Sequence, residues 1–225
     1  MLNQIPNPIF NQNLDRILHQ VQNHFWAMEA YLKTGSIVMI PLLIVSIVMW
    51  TLIINRIFFF QRLYRKNMPR ERAGEFVKNN ELPPTHIYRG AVSLLVTQFL
   101  NVRTRKPDVD LYILDETVMD IISVLERHLA LIGVLAAIAP LLGLLGTVTG
   151  MMATFDIISV FGTGNARAMA GGISEALVTT QTGLLVAIPG LYMHGFLLKR
   201  AEKLKTVIAS TGIYLQRFVN GSEPE

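Results

Sequence analysis

Three long stretches without a charged side chain constrain this sequence more than any other feature. They cover residues 34–55, 129–155 and 176–198. Each has at least about 20 residues, enough for a helix to cross a hydrocarbon core about 30 Å thick. Because of these windows only 16% of the chain is charged, against about 25% in soluble domains. The sequence therefore predicts an all-α integral membrane protein with three transmembrane helices.

Basic residues are distributed unevenly around the three windows. Twelve Lys and Arg lie from Arg56 to His128, and four more soon follow the third window. By contrast, residues 156–175 hold one basic residue and residues 1–33 hold two. Since cytoplasmic loops collect positive charge, we expect the N-terminus and the 156–175 loop outside, and the long loop and C-terminus in the cytoplasm. The basic excess then orients the chain and indicates no nucleic-acid partner.

The flanking segments complete the predicted organisation. Apolar residues at helical spacing predict an amphipathic helix over 9–33, lying either on the outer membrane surface or on neighbouring protein. A cytoplasmic helix is expected to run unbroken from Val109 into the second span, and another to continue after the third. The stretch "NELPPTHIYRG" predicts a turn between shorter cytoplasmic helices. The expected segments are an outer N-terminal segment 1–33, spans 34–60, 129–155 and 176–198, and a cytoplasmic helical region 61–128. Residues 156–175 are expected to hold a short outer loop and the start of the third helix, and residues 199–225 a cytoplasmic C-terminal helix and tail.

The second span carries a stripe of small residues at three- and four-residue steps. Such stripes let helix backbones approach closely in lipid, so we expect these glycines to be packing contacts. The threonines either bond back to their own helix or face a wet interface. Pro140 and Pro189 each free a backbone carbonyl inside a span, and rigid kinks are favoured over hinges. The stripe includes Ala136, Ala139, Gly143, Gly146, Thr147, Gly150 and Thr154.

The third span begins with a carboxylate and has one polar side. At about 100° per residue, Thr179 and Thr182 lie near Glu175, whereas Thr180 lies about 140° away. Leucines and other large apolar residues fill the opposite side. This pattern is typical of a helix that borders a polar cavity or a subunit seam, and it favours a path over one pocket. Two simpler alternatives for Glu175 stay open: a carboxylate favoured near a helix start, or a salt bridge to Arg167.

Several function classes are excluded or disfavoured by composition. The chain has no cysteine, so disulfides, thiolate metal sites and thiol catalysis are excluded. We find no metal-ligand spacing, no nucleotide-binding loop and no Ser/His/Asp arrangement, and we expect neither a cofactor nor an enzyme. The five histidines are scattered, and only His194 lies within a span, near its polar side.

Two segments carry a family resemblance: "LIGVLAAIAPLLGLLGTVTGMMATF" and "GGISEALVTTQTGLLVAIPGLYMHGF". They strongly resemble the MotA/TolQ/ExbB proton channel family, and its ExbB branch most closely, over roughly residues 127–200. MotA-type stators differ, since they have four spans and a longer chain. In the resemblance, the family's polar positions fall on Thr147, Glu175 and Thr180.

The resemblance implies a subunit of a bacterial inner-membrane energy transducer. In ExbB-like systems five copies form a ring around ExbD-like partner helices, which supply an essential aspartate. Proton flow then drives a TonB-like protein that powers outer-membrane uptake of substrates such as siderophore-bound iron or cobalamin. Two alternatives remain: a TolQ-like subunit of an envelope-maintenance system, and a scaffold ring whose partner alone handles protons. Sodium is an alternative coupled ion.

Overall fold

Every regular element of the described chain is helical. The computed structural model describes residues 37–65, 67–84 and 87–220, so the predicted amphipathic helix over 9–33 lies outside the described residues. A 3₁₀ turn, Gly162–Gly164, separates the last two helices. The six α-helices are α1 (Met39–Tyr64), α2 (Arg70–Asn79), α3 (Ala91–Val102), α4 (Pro107–Glu126), α5 (Leu129–Phe161) and α6 (Ala166–Val219).

Three of these helices can cross a membrane. Helices α1, α5 and α6 each contain a stretch of sufficient length and mean hydropathy. The predicted all-α fold with three spans is therefore confirmed. Helix α5 continues through Pro140 and α6 continues through Pro189, so neither proline ends its helix.

The short connection between α5 and α6 lies within the segment 156–175. Helix α5 continues to Phe161, and α6 already begins at Ala166. The chain reverses at Gly162, whose φ of +64° lies in the left-handed region that glycine adopts without steric cost. The charge-free windows marked the apolar part of each helix, whereas the helices themselves continue several residues further.

The helix expected to run unbroken into the second span is interrupted, so that expectation is wrong. Helix α4 ends at Glu126, His128 has a φ of +66°, and α5 begins at Leu129. The Arg56 guanidinium donates hydrogen bonds to the carbonyl oxygens of Val124, at 2.9 Å, and Arg127. These carbonyls belong to the last turn of α4, where backbone acceptors lack helical partners. A side chain from α1 thus satisfies them.

The described part of the chain divides into two compact units, residues 37–46 with 138–187, and residues 47–137 with 188–220. In the first, α5 and α6 pack antiparallel, since Gly143 contacts Thr180 while Gly150 contacts Ala176. The second contains α2, α3 and α4. Its apolar core includes the fully buried side chains of Phe60, Leu95, Phe99, Leu125, Leu204 and Leu215.

Polar side chains fix the ends of the short helices in the second unit. The Asn67 side-chain oxygen accepts a hydrogen bond from the Val92 amide at 3.3 Å, in the first turn of α3. A Cβ atom at Gly90 would lie 2.5 Å from the Asn67 Cα atom, so only glycine fits at this start. Helix α2 ends at Asn79, and the next residue, Asn80, takes the left-handed conformation with a φ of 52°. The turn predicted from "NELPPTHIYRG" thus separates α2 from α3, as expected.

Candidate functional site

Helices α5 and α6 meet along their small residues. We call this contact the α5–α6 seam; it is formed by residues that are all buried. A Cβ atom at Gly183 would lie 2.8 Å from the Ala139 carbonyl oxygen and 3.0 Å from the Gly143 Cα atom. The backbones are therefore too close here for any larger residue. The seam comprises Ala139, Gly143, Gly146, Gly150 and Thr154 on α5, and Gly172, Ala176, Thr179, Gly183 and Ala187 on α6.

Thr179 fills the space that Gly146 leaves empty. Its side chain is 0% exposed, and a Cβ atom at Gly146 would lie 2.5 Å from the Thr179 Cβ atom. One end of the seam repeats this arrangement, because Gly172 lies against the Thr154 hydroxyl. The helical spacing predicted that Thr179 lies on the polar side of α6. In the structure, that side is largely covered by α5.

Each candidate threonine donates its hydroxyl proton to a backbone carbonyl. Thr147 donates to Leu144 at 2.6 Å, Thr179 to Ala176 at 2.8 Å, and Thr182 to Val178 at 2.8 Å. These three bonds stay within one helix. The oxygens of such hydroxyls keep lone pairs that can accept a hydrogen bond. The half-buried Thr147 and Thr182 are therefore acceptors toward any water beside them.

Thr180 is different, because its hydroxyl bonds across the seam. It donates to the Gly143 carbonyl oxygen at 3.0 Å. In a helix that carbonyl points along the axis toward Thr147, about one turn further on. Thr180 is therefore tied to the turn of α5 that precedes Thr147. Both side chains are half-buried.

Glu175 lies apart from this pair, at the edge of the seam. It precedes Ala176, which packs on Gly150, and its own side chain is half-buried. Glu175 and Thr180 are separated by about 7.5 Å of helix rise and about 140° of rotation. The two do not form one pocket within a single chain.

No ion pair joins Glu175 to Arg167. Both residues belong to the described chain, and neither makes a hydrogen bond or salt bridge through its side chain to another described residue. The salt-bridge alternative thus receives no support from the single chain. The carboxylate is left without a cationic partner among the described residues.

Arg56 is the residue whose role the sequence did not reveal. We counted it among the basic residues that orient the chain, but it is only 4% exposed, and its Nε atom has no hydrogen-bond partner among the described residues. Its contacts with the end of α4 join residues 68 or more positions apart. One signal was available: Arg56 follows the first charge-free window directly.

His194 packs against backbone, and no metal site is evident. A Cβ atom at Gly133 would lie 2.9 Å from the His194 Nε2 atom, and the imidazole is half-buried. Within the described residues there is no group of three or more His, Asp or Glu side chains that could hold a metal ion.

Comparison with known proteins identifies the family. A model described as the MotA/TolQ/ExbB proton channel family matches residues 80–210, more than half of the chain. The chain belongs to the MotA/TolQ/ExbB family. The match includes all of α3, α4 and α5 and most of α6, and thus the whole α5–α6 seam.

The sequence is similar to several proteins that are named ExbB or ExbB-like. ExbB-like 1 of Synechocystis sp. is 30% identical over 224 residues, covering 96% of this chain and 84% of the relative. The ExbB protein of Aquifex aeolicus is 42% identical over 81 residues, or 36% of this chain and 55% of the relative. The ExbB protein of Xanthomonas campestris is 39% identical over 75 residues, covering 33% of this chain and 30% of the relative.

Membership in the MotA/TolQ/ExbB family agrees with the apolar helices. The chain is a multi-pass membrane protein of a proton-channel family, close to the ExbB branch. This family consists of proton-channel and transport subunits and is not a known class of enzyme.

Proposed function

We propose that this chain is the ring-forming subunit of an ExbB-like motor in a bacterial inner membrane. Five copies enclose single-span ExbD-like helices, and proton flow through the assembly drives a TonB-like protein. That protein powers uptake across the outer membrane, with siderophore-bound iron or cobalamin as the class of substrate. The N-terminus faces the periplasm and the C-terminus faces the cytoplasm, as the distribution of basic residues favours.

The observation that carries this proposal is the unpaired carboxylate of Glu175. It lies next to a span that has no other charged group from Ala176 to Leu198. Ionisable residues in such positions are costly and are typical of ion pathways. Since Glu175 has no cationic partner among the described residues, its charge is available to a proton or to a partner helix.

The threonines suit a proton path that contains water. Thr147 and Thr180 both direct their protons to backbone carbonyls, at 2.6 Å and 3.0 Å. Their oxygens therefore hold water by accepting hydrogen bonds, while Glu175 supplies the carboxylate. A charge that crosses 100 mV releases about 2.3 kcal/mol. Fixed acceptors keep a path open without binding the proton strongly enough to trap it.

A partner must supply any acidic group deeper in the membrane. Neither α5 nor α6 contains an Asp or Glu within residues 129–155 or 176–198. This agrees with the family expectation that an ExbD-like helix carries the essential aspartate. The exposed apolar faces of α5 and α6, including Leu144, Leu184 and Ile188, are available to lipid, to other copies or to that helix.

Replacing Glu175 by glutamine tests the proposal. In the source bacterium, a strain carrying only Glu175→Gln should lose uptake of ferric siderophore to background, because the isosteric amide cannot take up a proton. The variant should stay in the membrane at the normal level, since the side chain makes no bond to described residues. Uptake is measured with radioactive iron, and sensitivity to detergent is measured in parallel.

Two control variants make the outcome specific. Asp156→Asn removes an exposed carboxylate at the other end of the α5–α6 connection, and Arg167→Gln removes the cation of the alternative salt bridge; both should retain uptake. Normal uptake in Glu175→Gln would favour a scaffold ring. Detergent sensitivity with intact uptake would favour the TolQ-like alternative, and an equal loss in Arg167→Gln would restore the salt bridge.

A further inference from the structure

A cavity with a basic wall lies at the C-terminal end of α1. It has a volume of about 560 Å³, and its wall includes Phe59, Arg62, Leu63, Arg89, Gly90 and Leu94. A second cavity of about 480 Å³ shares Arg62 and Arg89 and adds Phe58 and Arg65. We call the two together the basic pocket. Each is within the size range of small-molecule sites.

The basic pocket has a strong positive charge. Three guanidinium groups, those of Arg62, Arg65 and Arg89, line it, and none of the described residues that line either cavity is acidic. Arg62 and Arg65 form no ion pair with any acidic side chain in the described part of the chain. The like charges of Arg62 and Arg65 repel each other unless an anion lies between them. The pocket thus has the electrostatics of an anion site.

The other part of the wall is apolar. Phe59, Leu63 and Leu94 line the larger cavity. The ring of Phe58, which lines the smaller one, is 67% exposed. A wall of this kind suits a ligand with an anionic group and an adjoining apolar part.

The depth of the basic pocket matches the headgroup layer of a bilayer. Arg62 lies seven residues after Asn55, where the first charge-free window ends, which is about 10 Å along a helix. Side chains on a helix tilt toward its N-terminus, so the guanidinium of Arg62 reaches back toward the apolar span.

We propose that the basic pocket binds the phosphate headgroup of an anionic phospholipid. The guanidinium groups of Arg62 and Arg65 hold the phosphate oxygens, since arginine matches phosphate with paired hydrogen bonds. Phe59, Leu63 and Leu94 contact the glycerol and the first methylene groups of the acyl chains. Basic pockets beside transmembrane helices are a known means of holding such headgroups.

Native mass spectrometry of the purified full-length chain tests this site. The chain is mixed with phosphatidylglycerol, with phosphatidylcholine of the same acyl chains, or with glycerol 3-phosphate. We expect phosphatidylglycerol to be retained, and the double substitution Arg62→Gln/Arg65→Gln to weaken its binding about 30-fold. The matched control is Lys199→Gln/Lys203→Gln, which removes two exposed cations after the third span and should leave binding unchanged.

A second variant attacks the apolar wall. Leu94→Glu places a carboxylate in the larger cavity at a side chain that is already 36% exposed, and it should repel the phosphate without disturbing the core. An equal loss in the lysine control would show unspecific attraction, and equal retention of phosphatidylcholine would show that charge plays no part. If glycerol 3-phosphate binds as strongly as the lipid, the site binds soluble phosphates and the lipid proposal is wrong. Unchanged binding in both pocket variants would also overturn the proposal. None of these measurements depends on proton flow, so their failure is separate from that of the proposed function.

Discussion

Asp110 ties the connection between α3 and α4 together. Its carboxylate accepts hydrogen bonds from the Thr104 amide at 2.8 Å and hydroxyl at 3.0 Å, and it pairs with Arg103 at 3.1 Å. Its side chain is 1% exposed. Burial by itself would raise the pKa of Asp110, but the bonds from Thr104 and Arg103 outweigh burial and hold the pKa below its ordinary value. The charged form is therefore favoured in the folded chain.

This depressed pKa predicts how stability depends on pH. The contribution of Asp110 is fully present above the unfolded-state pKa of about 3.9 and is lost as the pH falls through the lower folded-state pKa. Asp110→Asn should destabilise the chain by about 1–3 kcal/mol at pH 7 and flatten the acid side of the stability profile. Thermal unfolding in detergent from pH 7 to pH 3 measures both effects. Asp108→Asn, an exposed change in the same helix, is the control, and an Asp110→Asn profile parallel to that of the wild type would contradict the prediction.

At the scale of the helices, the α5–α6 seam depends on glycine. Even alanine at Gly146 would bring its Cβ atom to 2.5 Å from the Thr179 Cβ atom. That Cβ atom is attached directly to the helix backbone and cannot rotate away. The two helices must therefore separate or shift before any side chain fits.

Gly146→Ala should destabilise the chain by about 1–3 kcal/mol, the usual cost of overpacking. Gly171→Ala is a matched control, since a Cβ atom there meets nothing within 4 Å, and alanine in a helix interior is otherwise favourable. Adding Thr179→Gly to Gly146→Ala should relieve the clash and recover part of the loss. Apparent melting temperatures in detergent measure the series. Equal stability of Gly146→Ala and Gly171→Ala would show that the seam is looser than described.

Small-residue periodicity and charge-free windows were enough to predict the three helices and the packing stripe. In a membrane, large apolar residues can face lipid on any side of a helix. Small residues are therefore the ones that indicate a helix–helix contact. The rotation between Glu175 and Thr180 also follows from helix geometry alone. Periodicity could not predict which helix packs against the polar side of α6. In the structure α5 lies on that side and covers Thr179. The break at His128 depends on Arg56, whose partner in α4 is 68 positions away, and no local pattern encodes such a contact. The roles of Glu175, Thr147, Thr180 and Thr182 in proton transfer remain predictions.

For the molecule as a whole, orientation in the membrane is the most general expectation. The chain has no cysteine, so each introduced thiol is the only one. Thr163→Cys, in the exposed turn between α5 and α6, should react with a membrane-impermeant maleimide on intact spheroplasts. Ser123→Cys, exposed on α4, should react only after the membrane is opened, because the positive-inside rule assigns it to the cytoplasm. The reverse pattern would invert the proposed topology, and the unmodified chain gives the background.

The closeness of the α5–α6 seam limits how the proposed motor could work mechanically. Two helices whose backbones touch at Gly143 and Gly183, with a carbonyl-bound hydroxyl at Thr180, have no room to slide or rotate against each other. Within residues 138–187 we therefore expect the two helices to move together, because any displacement would force atoms into contact distances that packing does not allow. A push delivered at Glu175 is therefore carried by both helices at once. In the proposed assembly, we expect motion at the surfaces where this pair meets other chains. A variant that loosens the pair should transmit less force to the partner proteins before ion flow falls.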